Sequence, residues 1–239
     1  MKEKLTPKEQ RLMPKKADFR QRAHSNPLVD HDLDVPIRPS LYKWDMTRAP
    51  DFIDIGCGYG GLTVDIARDY PDKCIIGMEL RVQVTEYVVL RIKALREQHK
   101  ETNEYNNCQC IRMNCMKFMP NFFFKQSIEK IFILFADPHF KQKKHKHRII
   151  TVSLLSEYAY ILKVGGILYT ATDVLDLHKW NVSHLEEHPL FEKLTEKQEN
   201  DDPMKQYILN STEESQKVSR NDGNKYFAFY RKIEDPANK

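Results

Sequence analysis

The chain has 239 residues, a net charge of +4 at pH 7 and a hydrophobic fraction of 41%, values typical of one globular domain with polar edges. It contains neither a secretory signal nor an apolar run of about 18 residues, which argues against a membrane span. Its five cysteines form no Cys-x-x-Cys pair, a usage typical of reduced thiols in an intracellular protein. We therefore predict no metal site and no membrane association.

The first part of the chain is basic and poor in apolar residues. Lysine and arginine outnumber the acidic residues over residues 1–24, which predicts a mobile basic arm. Residues 25–50 contain four prolines and are predicted to be extended. The regular domain is predicted over residues 51–233, followed by a tail over residues 234–239.

Strand and helix signals alternate over the regular domain. Apolar runs predict strands over residues 52–55, 74–79, 108–113, 128–135, 167–171 and 225–231. Helical spacing predicts helices over residues 62–67, 82–98, 152–162 and 174–187, and the polar residues 193–224 are predicted to be loop-rich. The predicted fold class is α/β, a doubly wound, Rossmann-like sheet, mostly parallel with an antiparallel terminal strand. Its ligand site is expected at the carboxyl ends of the strands.

A glycine-rich turn follows the first predicted strand. Four of the eight glycines fall within residues 56–61, between a strand and a helix, where bare backbone approaches a cofactor. Three of them match the dinucleotide fingerprint, and Glu79 lies where a ribose-binding acid is expected. Asp54, two residues before the first glycine, disfavours a dinucleotide because a carboxylate there repels a pyrophosphate.

The Asp-x-Gly-x-Gly turn over residues 54–58 resembles the S-adenosylmethionine loop of class I methyltransferases. In that class the backbone of the loop lies against the methionine moiety, and a nearby carboxylate suits the ammonium and sulfonium charges. We therefore predict S-adenosylmethionine as the cofactor, with a nicotinamide cofactor as the alternative.

Further polar residues follow predicted strands and are expected at the same edge. Glu79 is placed to accept hydrogen bonds from ribose hydroxyls. Arg81 is placed to brace Glu79 or the cofactor, or else is a solvated charge in the first turn of the next helix. Asn114 is a candidate to bond the adenine, or else caps the next turn. Asp137 and Pro138 follow a buried strand at the position where many nucleic-acid methyltransferases receive the target base; a turn or N-cap aspartate is the alternative.

A basic run follows Asp137. Five cations fall within eight residues: Lys141, Lys143, Lys144, Lys146 and Arg148. Such runs are usually solvated surface, but beside a candidate active site they favour contacts with the phosphates of a nucleic acid. We therefore predict that these five residues bind RNA or DNA.

Seven blocks of the sequence together resemble the eukaryotic tRNA (guanine-N7)-methyltransferases. They occur in colinear order at residues 20–27, 54–61, 79–82, 121–123, 137–141, 157–160 and 211–214. The Arg-Gln-Arg-Ala-His-Ser block and the Asp-Pro-His-Phe-Lys block are specific to that family, whereas the glycine loop is common to its class. The resemblance implies methyl transfer from S-adenosylmethionine to N7 of a guanine in the variable loop of tRNA.

The resemblance also implies roles for single residues. Asp137 is the implied catalytic residue, with Thr212 and Glu214 folding over the site. Together with the glycine turn, the predicted cofactor-binding residues are Asp54, Gly56, Gly58, Glu79, Arg81, Asn114, Cys115, Leu134, Thr212 and Glu214. A WD-repeat β-propeller is the implied non-catalytic partner in a heterodimer. Lys117 and Glu157 are candidate contacts with it, or else ordinary surface charges. The nucleus is the expected location, with the cytoplasm as a second one.

The sequence departs from the family at several positions. Ala136 stands where the family usually has proline, Cys115 replaces a commoner alanine, and residues 42–50 are short for this segment. Two other interpretations stay open. A base-amino methyltransferase is suggested by residues 137–140, which are distantly similar to Asn/Asp-Pro-Pro-Tyr, although the second proline and the tyrosine are missing. A noncatalytic RNA-binding scaffold is disfavoured by the intact glycine loop and Asp137.

Ser25 is a candidate regulatory residue. Arg20, Arg22 and Ser25 have the spacing that basophilic kinases accept, in a segment predicted to be exposed. Ser25 is alternatively an ordinary turn residue before Asn26 and Pro27. Phosphorylation would add about −1.5 to −2 charges, which predicts lower activity.

Overall fold

The computed structural model describes residues 13–22, 25–221 and 223–238. In these residues the strands are β1 (Phe52–Ile55), β2 (Ile75–Glu79), β3 (Cys108–Arg112), β4 (Ile128–Leu134), β5 (Leu162–Thr172), β6 (Phe191–Lys193) and β7 (Tyr226–Lys232). They form one sheet in the order β3-β2-β1-β4-β5-β7-β6. Strands β1 to β5 pair in parallel, and β7 is antiparallel to both of its neighbours. The predicted fold class is therefore confirmed.

The helices connect these strands and cover the sheet. They are α1 (Gly61–Asp69), α2 (Val82–Gln98), α3 (Met119–Phe122), α4 (Val152–Ile161), α5 (Leu175–Glu187), α6 (Glu196–Asp201), α7 (Met204–Asn210) and α8 (Glu213–Arg220). Within the described part of the chain, no helix has both the length and the apolar character needed to cross a membrane. The strand order reverses between β1 and β4, which makes the crevice at their carboxyl ends the expected ligand site.

Side-chain alternation along the strands divides the core between the two faces of the sheet. In β1, Ile53 and Ile55 join the apolar cluster beneath α4 and α5, whereas Phe52 joins the cluster beneath α1 and α2. On the second face, the rings of Phe132 and Tyr169 stack with centroids 4.8 Å apart. Burying one such side chain contributes about 1.5–3 kcal/mol, so both layers of helices are held to the sheet.

The described cysteines lie in the first half of the sheet. All five are buried and free: Cys57, Cys74, Cys108, Cys110 and Cys115. The sulfur atoms of Cys57 and Cys110 lie 3.8 Å apart, linking the glycine turn to β3. This contact and burial raise the pKa of Cys57 well above its ordinary value.

Residues 193–224 differ from the predicted loop. They form α6, α7 and α8, and the short strand β6 directly before them was not predicted. Threonines cap two of the helices: Thr195 forms a capping box with Gln198, and the Thr212 hydroxyl accepts a hydrogen bond from the Ser215 N–H at 3.0 Å. The prediction was wrong because the exposed faces of these helices are polar, while residues such as Ile208 anchor them in the core.

The N-terminal segment also differs from the predicted arm. Residues 16–19 form a 3₁₀ turn whose Phe19 ring packs on Tyr87 of α2, with centroids 5.8 Å apart. Lys16 forms an ion pair with Glu213 at 2.6 Å. Residues 1–12, 23 and 24 of the predicted arm lie outside the described residues. Residues 25–50 contain the 3₁₀ turn Pro39–Leu41 and otherwise neither helix nor strand.

Candidate active site

A cavity of about 210 Å³ lies at the carboxyl ends of β1, β2, β3 and β4. Each of these strands contributes to the lining one glycine or polar residue that lies at its end or shortly after it: Gly56, Glu79, Asn114 and Asp137. Parallel strands bring their carboxyl ends to a common edge, which is why residues so far apart in sequence meet here. The structure thus brings together the four segments singled out from the sequence.

The glycine turn presents open backbone on one side and is packed on the other. Gly56 and Gly58 adopt left-handed φ angles of 70° and 54°, and a Cβ on either would meet no atom within 4 Å. Gly60 and Gly61 lie against the protein, because a Cβ at Gly60 would approach Val88 to 2.7 Å and one at Gly61 would collide with the Ser211 carbonyl oxygen. The first two glycines therefore form a cradle with room for a ligand.

Asp54 lies beneath the glycine turn and outside the cavity lining. Its side chain is 3% exposed, and it accepts a hydrogen bond of 2.8 Å from the Thr63 hydroxyl of α1. Burial raises the pKa of Asp54 to about 7, with the charges of Glu213 and Glu79 adding to the effect. Asp54 therefore braces the strand and helix that flank the turn and places a titratable carboxyl behind it.

Glu79 ends β2 with its carboxylate already engaged by Arg81. The Nη2 and Nε atoms of Arg81 donate to it at 2.8 and 3.1 Å. The backbone N–H groups of Leu80 and Arg81 donate to Oε1 at 2.8 and 2.9 Å. Both Glu79 and Arg81 line the cavity, so the structure supports bracing as one function of Arg81.

Asn114 connects the cavity to the N-terminal segment. Its Nδ2 donates to the Pro27 carbonyl at 2.7 Å, and its Oδ1 accepts from the Met116 N–H at 3.1 Å. Ser25 and Pro27 consequently line the cavity. Ser25 is half-buried there, which differs from its predicted place in an exposed arm.

Two further predicted cofactor-binding residues are buried near the ends of β3 and β4. Cys115 lines the cavity, and burial raises the pKa of its thiol above the ordinary value. Leu134 is the last residue of β4 and lies outside the lining, whereas the next residue, Phe135, contributes to it.

Asp137 lies on a strained turn after β4. Phe135 and His139, on either side of it, have φ angles of 52° and 46°, a left-handed conformation that is unfavourable for residues other than glycine. The Asp137 carboxylate lies 3.7 Å from Nε2 of His139. Such strain recurs at functional sites, and here it places Asp137 at the cavity.

The chain matches known protein families over most of its length. Residues 48–228 match a family model described as "Putative methyltransferase". A tRNA (guanine-N(7)-)-methyltransferase from Caenorhabditis elegans is 54% identical over 94% of this chain and 91% of its own length. The enzymes of the same name from Kluyveromyces lactis and Drosophila virilis are 54% and 51% identical, covering 94% and 92% of this chain and 85% and 92% of their own lengths. The chain belongs to the tRNA (guanine-N7)-methyltransferase family.

Solved structures support the fold. An antibiotic-related methyltransferase aligns with a TM-score of 0.52 and 14% identity over 79% of this chain and 89% of its own. The 16S rRNA methyltransferase KamB aligns with a TM-score of 0.51 and 12% identity over 78% of this chain and 89% of its own. At such identities the similarity concerns the fold, which is that of class I methyltransferases.

In this member of the family, four cations of the basic run are exposed and one is not. Lys141, Lys143, Lys144 and Lys146 lie on or next to the 3₁₀ helix Gln142–His147 with their side chains exposed. Arg148 is 1% exposed and forms an ion pair with Asp176 at 2.6 Å. This burial argues against the predicted phosphate contact of Arg148, because the chain turns inward at the end of the 3₁₀ helix.

Thr212 and Glu214 lie outside the cavity lining in this structure. Thr212 caps α8, and Glu214 is exposed, with its carboxylate 3.6 Å from Lys217. Their neighbour Glu213 lies beside the glycine turn, with its Oε2 3.3 Å from where a Cβ on Gly61 would be. A match to a sequence block cannot show which of two adjacent glutamates faces the turn.

Two further residues of the site edge were not predicted. His147 is buried, lines the cavity, and has its ring 5.3 Å from that of His139. Burial and the nearby Lys144 and Lys146 lower the pKa of His147 below its ordinary value, which favours the neutral ring. Asp173 is exposed directly after β5, the neighbour of β4, and lies outside the cavity lining. Among the described residues, no three His, Cys, Asp or Glu side chains are grouped to hold a metal ion.

Proposed function

We propose that this chain transfers a methyl group from S-adenosylmethionine to N7 of a guanine in the variable loop of tRNA. The observation that carries the proposal is the meeting in one cavity of Gly56 from the open glycine turn, the Glu79 carboxylate and Asp137. Exposed lysines follow Asp137 in the chain. Family membership supports the reaction class, and the arrangement of the site supports the individual roles.

The residues present fit S-adenosylmethionine. Gly56 and Gly58 leave room for the methionine part of the cofactor, Glu79 is suited to the ribose hydroxyls, and Asn114 to the adenine. The bound cofactor supplies a methyl group activated by its sulfonium charge. Asp54 contributes a carboxyl behind the turn, where its negative form favours a cationic ligand.

The chemistry of guanine sets the demands on Asp137. N7 carries a free lone pair, so its attack on the methyl group requires no general base and depends chiefly on positioning. The guanine gains positive charge as the methyl group arrives, and a nearby carboxylate stabilises that charge. Asp137 performs this role or accepts hydrogen bonds from the N1–H and amino group of guanine.

The four exposed lysines hold the tRNA backbone in this proposal. Lys141, Lys143, Lys144 and Lys146 lie on the segment that continues from the Asp137 turn. Phosphate contacts fix the register of a nucleic acid, while the cavity selects the base. Binding at the lysines therefore presents a guanine to Asp137.

A non-catalytic β-propeller partner of the WD-repeat class and a nuclear location complete the proposal. On α4, Oε2 of Glu157 is buried with no hydrogen-bond partner among the described residues, and burial raises the pKa of this carboxyl. A cation from a partner would satisfy it. Lys117 already pairs with the exposed Asp30 at 2.8 Å, so a partner acid at that position would replace Asp30.

Partner binding is tested by purification from the native source. Co-purification of a WD-repeat protein, lost in a Glu157→Leu variant, is expected. Full stability and tRNA activity of the isolated chain would contradict a required partner.

Methylation of bulk tRNA, followed by nucleoside mapping, tests the reaction. The expected product is N7-methylguanosine in the variable loop. A methyl group on an exocyclic amine would instead indicate a base-amino methyltransferase, and tRNA binding without transfer would indicate an RNA-binding scaffold. Thermal shifts with S-adenosylhomocysteine and with NAD separate the cofactors, because a ligand stabilises the protein that binds it.

A further inference from the structure

Arg148 is a buried cation attached to the turn that carries Asp137. Its side chain is 1% exposed. Nε donates to the carbonyl oxygen of Pro138 at 3.0 Å, and Nη2 donates to the Asp176 carboxylate at 2.6 Å. The guanidinium also lies over the Trp180 ring, 4.7 Å from its centroid. Three groups therefore compensate the burial of this charge.

The hydrogen bond from Arg148 to the Pro138 carbonyl acts on the turn that carries Asp137. Pro138 directly follows Asp137, and the turn is bounded by the left-handed residues Phe135 and His139. A left-handed conformation is unfavourable for residues other than glycine, so surrounding contacts must maintain it. The Phe135 N–H donates to the Ala171 carbonyl at 2.7 Å at one end of the turn, and Arg148 holds the other end.

Arg148 also joins the turn to the lysine-bearing segment. It directly follows the 3₁₀ helix Gln142–His147, and its bond to Pro138 closes the chain between them into a loop. Asp176 and Trp180 both belong to α5, so the base of this loop is fixed to a regular element. The exposed lysines and Asp137 are thereby connected through a single buried side chain.

We propose that Arg148 is a positioning residue for methyl transfer, which fixes the Asp137–Pro138 turn relative to α5 and the lysine-bearing segment. The proposal rests on the proposed function of Asp137. It assigns to Arg148 an effect on turnover through the turn, separate from direct contact with the tRNA or the cofactor.

A double-mutant cycle tests this role. The variants are Arg148→Gln, Asp137→Ala and the double variant, with Arg48→Gln as a control that removes an arginine paired with Asp51 at the opposite edge. We expect Arg148→Gln to lower kcat by about 10- to 100-fold, the range for a misplaced catalytic group. Affinities for S-adenosylhomocysteine and tRNA should change less than about twofold. In the Asp137→Ala background, Arg148→Gln should lower the residual kcat less than about twofold.

Arg148→Lys keeps the charge and one donor, and provides the second readout if Arg148→Gln does not fold. Arg148→Lys should fold with unchanged ligand affinities. Its kcat should lie between those of the wild type and Arg148→Gln. If Arg148→Gln does not fold, the kcat of Arg148→Lys should be about tenfold below that of the wild type. An equal loss of kcat in both backgrounds, or a parallel loss of cofactor affinity, would overturn the proposal. Full activity of Asp137→Ala would instead refute the function proposed for Asp137, whatever Arg148 does.

Discussion

The carboxylate of Glu79 is bound by the guanidinium of Arg81 at 2.8 Å, although the same carboxylate is the group suited to the ribose hydroxyls. Both side chains are largely buried at the cavity, with 7% and 18% of their surfaces exposed. When a nucleoside binds, the ribose hydroxyls must therefore bind Glu79 alongside Arg81 or displace Arg81 from it. Glu79 is accordingly held in one orientation before the ligand arrives.

Glu79→Gln should weaken cofactor binding. Hydrogen bonds to a charged group contribute about 1.5–3 kcal/mol, so the affinity for S-adenosylhomocysteine should fall about 10- to 100-fold. Since this loss affects ground state and transition state alike, kcat at saturating cofactor should stay close to the wild-type value. Isothermal titration and steady-state kinetics measure the two effects, with the exposed Glu86→Gln on α2 as control. An unchanged affinity would remove Glu79 from the cofactor site.

Asp54 should make cofactor affinity depend on pH. Burial raises its pKa from 3.8 to about 7. In the protein without ligand, the free energy of unfolding therefore falls as the pH rises from about 3.8 to about 7, because the unfolded chain releases this proton more readily. A cationic ligand favours the ionised form, and its affinity should rise by up to about tenfold from about pH 6 to about pH 8. S-adenosylhomocysteine, which lacks the sulfonium charge, should show a smaller change. Titrations of Asp54→Asn should show no such rise; its persistence would assign the pH dependence to another group.

Asp137→Ala should lower turnover without affecting the cofactor. Removing one preorganised electrostatic group typically lowers the rate about 10²–10³-fold. Single-turnover methylation of tRNA measures the rate, and titration with S-adenosylhomocysteine measures the affinity, which should be unchanged. The control is Asp72→Ala, which removes an exposed carboxylate before β2. Near-normal turnover of Asp137→Ala would refute its catalytic function.

Neutralising Lys143, Lys144 and Lys146 together should weaken tRNA binding and its salt dependence. Each lost phosphate contact reduces the slope of log K against log salt by about 0.7–0.9. The control is Lys125→Gln with Lys163→Gln, since Lys125 precedes β4 and Lys163 is the second residue of β5, at the opposite edge of the sheet. Binding curves at several salt concentrations decide the matter. Equal slopes for the triple variant and wild type would mean that these lysines are ordinary solvated surface.

Phosphorylation of Ser25 should inhibit the protein. Ser25 lines the cavity together with Glu79 and Asp137, and a phosphate would add about −1.5 to −2 charges beside these carboxylates. Ser25→Ala should retain most activity, whereas Ser25→Asp and the enzymatically phosphorylated protein should be impaired in productive tRNA engagement. Methylation assays of the three forms provide the comparison. If all three match the unmodified protein, Ser25 is not a charge-sensitive switch.

The parallel sheet and its edge were predictable because their signals are local. The apolar run of β4 and the glycines after β1 specify strand, turn and helix within a few residues, and topology then brings Glu79, Asn114 and Asp137 together. The polar helices after β6 could also have been found, since Thr195 and Gln198 form a capping box that is visible in the sequence. Mean polarity predicts a loop there, whereas the capping box marks the residue at which a helix begins.

Whether a single charged residue is exposed or buried was less predictable from the sequence. Lys146 and Arg148 are two residues apart in one basic run, yet the first is exposed and the second is buried against Trp180. That difference depends on α5, an element distant in sequence, and charge pattern carries no information about it. The same limit applies to Glu213 and Glu214, whose orientations are set by how α8 packs on the glycine turn.

Because the buried thiols are all in one half of the sheet, their reactivity reports local unfolding of that half. All five lie on or beside β1, β2 and β3, whereas β4 to β7 contain none of them. A thiol-directed label reacts with an accessible thiolate, so its uptake registers exposure of the half of the sheet that holds the glycine turn. Labelling rates with and without a bound nucleoside would therefore measure how far ligand binding suppresses local unfolding of that half.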